Sequence, residues 1–183
     1  MTIKLLSSSG GSVTVDIPTT ASNYNLTVPA ASGTAMVSGN MPAFAAYPSV
    51  AANLSNSTWT KIALNTKLFD TNNNFNTSTY RFTPTVAGYY QINFFCGTST
   101  TNNNAYWNWS AIYKNGSAFI RQYSVFPAGN VQTYGSQISQ LISMNGSTDY
   151  LEFYVNVYVA SGTPSYAGGS DSTQVNGFLA RAA

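Results

Sequence analysis

Hydrophobic and polar positions alternate with a period of two along most of the chain, and a helical period never appears. The clearest run is 150–160, where Leu151, Phe153, Val155, Val157 and Val159 share one face and Tyr150, Glu152, Tyr154, Asn156 and Tyr158 the other. Five apolar residues in register predict a strand packed on a core. In 89–96, Tyr90, Ile92, Phe94 and Cys96 fall on one face, and Tyr89, Gln91, Asn93 and Phe95 on the other. Trp107, Trp109, Ala111 and Tyr113 alternate toward Asn115-Gly116, a strong hairpin signal, and Trp107 is expected in the core. Further strands are predicted at 42–47, 59–69, 120–125, 133–142 and 174–180, with polar loops over 98–104 and 161–173. In 133–142, Ile138, Leu141 and Ile142 break strict alternation, which predicts a bulge or a strand buried on both faces.

The segment 69–96 organises the rest. Asn72-Asn73-Asn74 is turn chemistry, and Pro84 to Gly88 forms a corner with a fixed φ at one end and glycine freedom at the other. Eight to ten short strands separated by turn signals predict an antiparallel sandwich or barrel. Residues 1–40 differ, being rich in Ser, Thr, Gly and Ala, with two short runs ending at Pro18 and Pro29. Neither run can bury an apolar face alone, so 1–40 reads as an extended docking arm, ordered only against other chains, or else as a floppy tail. Residues 41–183 read as the folded domain.

Composition narrows the function classes. Charged residues make up 7% of the chain against roughly 25% in ordinary soluble domains. Such a surface suits an inert particle or a chain that hides surface in an oligomer. The seven basic residues are scattered singly, which argues against nucleic acid, and no apolar run is long enough to span a membrane. Without histidine and with five acids, no catalytic residue or cofactor site is expected. Asp70 beside Asn72 and Asn74 is read as an Asx-turn rather than a Ca²⁺ site, so no metal is expected either. Cys96, the lone cysteine, is read as a buried small hydrophobe. Ser7 to Gly11 interrupts the N-terminal apolar residues, so no signal peptide is expected.

Ala43-Phe44-Ala45-Ala46, the 69–96 motif, Ile112 to Gly116 and Val175 to Leu179 occur in the order of a known pattern. It resembles the C1q-like (tumour-necrosis-factor-like) domains, over 42 to about 181. The resemblance implies an all-β antiparallel jelly-roll sandwich that assembles as a homotrimer. Tyr154 and Tyr158, on the face of their strand away from the core, are then expected at the trimer interface. No Gly-X-Y period supplies the stalk of animal members, and Pro29 to Thr34 resembles elements of phage fibre and decoration proteins. The expected function is a non-enzymatic phage virion structural protein, made in the host cytoplasm and displayed on the virion surface. It would be a homotrimeric capsid decoration or cement protein or a short fibre knob, anchored to other virion proteins by its arm. The alternative is a receptor-binding tail-fibre head that recognises host surface glycans, with Tyr123 and Tyr166 as ligand-facing aromatics.

Overall fold

The computed structural model describes residues 3–16, 19–23, 25, 27, 30, 35–37, 39, 41–102, 104–127 and 129–183. It separates into two compact units, Met1–Gly33 and Thr34–Ala183. In the first, β1 (Ile3–Leu6) and β2 (Ser12–Val15) pair antiparallel, with Ile3 opposite Val15 and Leu5 opposite Val13. The turn closes by Ser7 N–H donating to the Gly11 carbonyl at 2.7 Å. Alternation puts Ile3, Leu5, Val13 and Val15 on one face, and all four are exposed. The proline-ended repeat and the Pro29 to Thr34 element lie largely outside the described residues.

The second unit is a sandwich of two antiparallel sheets. Its strands are β3 (Ala43–Tyr47), β4 (Ala52–Asn53), β5 (Thr60–Lys61), β6 (Thr66–Asp70), β7 (Phe75–Asn76), β8 (Arg81–Phe82), β9 (Gly88–Thr100), β10 (Ala105–Lys114), β11 (Ser117–Val125), β12 (Thr133–Met144), β13 (Leu151–Val159), β14 (Pro164–Tyr166) and β15 (Thr173–Ala182). One sheet runs β4-β14-β9-β15-β3-β6, with β12 on the other side of β9. The second runs β11-β10-β13-β8-β7, with β5 also on β13. Consecutive strands repeatedly cross from one sheet to the other, which makes a jelly roll.

The predicted core faces of β9 and β13 meet across the sandwich, with the Phe94 and Phe153 rings 5.3 Å apart. Phe44, Phe82 and Tyr90 fill the corner side, the first two stacked at 4.0 Å. Tyr90 Oη donates to the Val86 carbonyl at 2.8 Å and so ties down the Pro84 corner. At its end Gly88 is obligatory, since a Cβ there would come within 2.3 Å of the Arg181 carbonyl oxygen. Asn115 and Gly116, at φ 54° and 79°, make the predicted tight turn between β10 and β11.

Four expectations are corrected. The polar stretch after Cys96 continues β9 to Thr100, because β12 and β14 both pair with it. The 161–173 loop contains β14, too short to show periodicity. The register of β12 with β9 is unbroken, so there is no bulge; Ile138 and Ile142 point inward and Leu141 outward. Finally, Trp107 is not core. In β10 it is Asn108, Ser110 and Ile112 that face the other sheet, where Asn108 Nδ2 donates to Thr98 Oγ1 and the Ser110 and Ser136 hydroxyls bond each other. Polar groups on β9 and β12 opposite need partners there, and the indoles go outward.

Candidate functional site

The outward face of the second sheet carries a continuous band of aromatic rings. Opposite pairs Trp107–Tyr158, Trp109–Asn156 and Ala111–Tyr154 on β10 and β13 set its grid. Trp107 stacks on Trp109 at 4.9 Å and lies tilted against Tyr158 at 4.4 Å, while Tyr113 stacks on Tyr154 at 4.1 Å. Trp59, just before β5, lies 6.5 Å from Trp109 and 6.4 Å from Tyr113, bridging the gap left by small Ala111. Tyr123 on β11 meets Trp109 edge-on at 4.9 Å. Trp107 Nε1 donates to Asn156 Oδ1 at 3.0 Å, which fixes the indole plane.

Most of the cations on this face have a carboxylate partner. Glu152, buried beneath the rings, accepts from Lys61 Nζ at 2.9 Å and from Arg81 Nε at 2.8 Å. Burial alone would raise its pKa, but these two hydrogen bonds outweigh it and hold the carboxyl below its ordinary value. Arg81 also lies 4.1 Å from the Tyr150 ring. Arg121 differs: it sits 5.6 Å over Trp59, beside the Tyr123 and Tyr113 hydroxyls, which raise its pKa. Among the described residues it has no carboxylate partner. Along the same edge strand, Ala118, Phe119, Ile120, Arg121 and Tyr123 line a shallow depression of about 430 Å³.

The outward face of the first sheet has a different chemistry. The register places Gln137, Phe95 and Gln174 in one row, Ser139, Asn93 and Asn176 in the next, and Leu141, Gln91 and Phe178 in a third. None of these nine side chains is ionisable. Ser139 Oγ donates to Asn93 Oδ1 at 2.8 Å, and Asn93 Nδ2 donates to Asn176 Oδ1 at 3.0 Å, making a polar bar across three strands. Around it Phe95, Leu141, Phe178 and nearby Tyr89 are each 39–49% exposed.

The carboxylates in the described domain are occupied. Asp70 Oδ1 accepts from the Asn74 N–H and Oδ2 from the Phe75 N–H, each at 2.9 Å, so it closes the Asn-rich loop. Asp149 accepts from Asn115 Nδ2 at 2.7 Å and Lys114 Nζ at 2.9 Å, and these bonds lower its pKa. No three His, Cys, Asp or Glu side chains converge among the described residues. Cys96 is fully buried, which pushes its thiol up to about 12.

Of the residues singled out from sequence, Tyr154, Tyr158 and Tyr123 all fall in the aromatic band. Tyr154 and Tyr158 are half-buried against Tyr113, Trp107 and Tyr106 of their own chain. Tyr123 is 53% exposed. Tyr166 is corrected: at 4% exposure it belongs to the core, because β14 turns its ring inward, and it presents nothing to a ligand. Trp59 and Arg121 were missed. The place of Trp59 depends on β5 pairing with β13, a contact nearly a hundred residues apart, and Arg121 is set over its ring by the β10–β11 hairpin.

No family model matches the chain, and no curated protein sequence matches it. Solved structures do. The globular domain of zebrafish complement 1qA protein superposes with a TM-score of 0.56 at 15% identity, covering 78% of this chain and 99% of that one. Eiger TNF from S. frugiperda gives 0.58 at 7% identity over 78% and 93% of the two chains. Murine APRIL gives 0.57 at 6% over 76% and 98%. At these identities the likeness is one of fold, and the fold of this chain is the antiparallel jelly roll of C1q and TNF domains.

Proposed function

We propose that this chain is a non-enzymatic structural protein of a phage virion, a homotrimeric knob on the particle surface that decorates or cements the capsid or ends a short fibre. The observation that carries the trimer is the neutral face of the first sheet, with Phe95, Leu141 and Phe178 exposed around a hydrogen-bonded amide bar. Around a three-fold axis the same side chain of all three subunits converges, so a patch of nine side chains without an ionisable group can lie at the axis without like-charge repulsion. In this reading the subunit contact lies on β9, β12 and β15, while Tyr154 and Tyr158, expected there from the sequence, have rings packed within the chain. The β1–β2 hairpin supports the docking role. A two-stranded ribbon is marginal in water, and its apolar face of Ile3, Leu5, Val13 and Val15 calls for a covering surface on another virion protein.

The test uses particles stripped of the protein, re-exposed to the full chain or to its Leu5→Asp variant. The full chain is expected to re-bind, and the variant to keep its oligomeric mass but lose re-binding by at least about 10-fold, since burying a charge in an apolar contact costs more than 1.4 kcal/mol. Equal re-binding by the variant would remove the arm from the docking role.

A second reading, a glycan-recognising receptor-binding head, is favoured by the aromatic band, where Tyr123 is exposed and Arg121 supplies a polar partner.

A further inference from the structure

We infer that the outward edge of β11 binds an acidic sugar, with the Arg121 guanidinium taking the carboxylate and the Phe119 and Tyr123 rings flanking the sugar ring. The inference rests on the glycan-recognising reading and names its ligand class. Its starting point is an imbalance of charge. On the aromatic face Lys61 and Arg81 share the Glu152 carboxylate, and Lys114 at the end of β10 pairs with Asp149. Among the cations described on this face, Arg121 is the one without a carboxylate partner, and it is exposed.

Geometry supplies the rest of the site. Arg121 and Tyr123 share the outward face of an edge strand, and with Phe119, which sits at a bulge in that strand, they line one depression of about 430 Å³. Strand rise separates Phe119 and Tyr123 by at most about 13 Å, within the reach of a short oligosaccharide. Phe119 is 49% and Tyr123 53% exposed, so both rings are open to a partner. The apolar C–H face of a pyranose carries slight positive charge and settles on the negative face of an aromatic ring. Arg121 uses the Trp59 ring below as a support, and its planar fork still offers donors matched to the two oxygens of a carboxylate. A neutral glycan would leave this cation unanswered, and an acidic peptide would make no use of the paired rings.

The experiment titrates the full-length protein with tri-galacturonic acid, with its methyl ester and with tetra-glutamate, following tryptophan fluorescence and heat. The acid is expected to bind saturably and the ester at least about 10-fold more weakly. Arg121→Gln is expected to weaken the acid by about 10–100-fold, the worth of a charge-assisted pair, while Arg181→Gln leaves it unchanged. Since Arg121 is exposed, an unchanged thermal midpoint will show that the variant folds. Equal binding of acid and ester, indifferent to Arg121→Gln, would overturn the acidic class while leaving a glycan-binding head intact. No binding of either sugar would overturn both. Tetra-glutamate binding as tightly as the uronate, with the same dependence on Arg121, would replace the sugar with an acidic peptide.

Discussion

Glu152 shows how one residue can be structurally costly and still stabilising. It is 3% exposed and anchors two cations that come from β5 and β8, so it ties both short strands to β13. Its folded pKa lies below the ordinary 4.5, so the stability it contributes is present above about pH 4.5 and is lost as pH falls through the lower folded value. Glu152→Gln should cost about 1–3 kcal/mol at neutral pH, and the gap between variant and parent should close in acid. Denaturant midpoints measured across pH check this; a gap that stays constant or widens in acid would contradict it. Neither cation partner was legible from sequence, because Lys61 and Arg81 stand 91 and 71 residues from Glu152. The alternation of β13 itself was legible, since Leu151, Phe153 and Val155 leave only one face for the core.

Among the elements, legibility followed how unequal the two faces of a strand are. The faces of β9 and β13 differ sharply in polarity, and their predicted sides are the observed ones. In β10 the aromatic face looked like the core, yet tryptophan and tyrosine carry polar handles and tolerate a half-exposed sheet. The inward choice was made by Thr98 and Ser136 across the sandwich, which require Asn108 and Ser110 as partners. Alternation reports that there are two faces, and only the opposite sheet says which one is buried. The β1–β2 hairpin and β14 were missed because runs of three or four residues carry too little period to stand out. The corner before β9 was read correctly, and its geometry gives a sharp expectation. Gly88→Ala would push a methyl to 2.7 Å from Leu179 Cδ1 as well as into the Arg181 carbonyl. The cost should be about 1–3 kcal/mol, measured by thermal or chemical unfolding; an unchanged midpoint would mean that β15 yields freely at this point.

At the scale of the whole molecule, the two sheets present faces of opposite character. One carries a patch without ionisable groups, apolar side chains around a hydrogen-bonded polar bar; the other is a floor of rings crossed by arginine and lysine. Packing both faces into subunit contacts would leave the aromatic band no access to anything else, while using only the neutral one leaves it outward on every subunit. The low charge of the chain, 7% of residues, fits the proposed self-association, since the cores of subunit contacts are depleted of charged residues. The measurement that tests this most directly is the native mass of the full chain on dilution to micromolar concentration. Three times the 19.6 kDa chain mass is expected. A monomeric mass would contradict the account and leave a solitary binding module in its place.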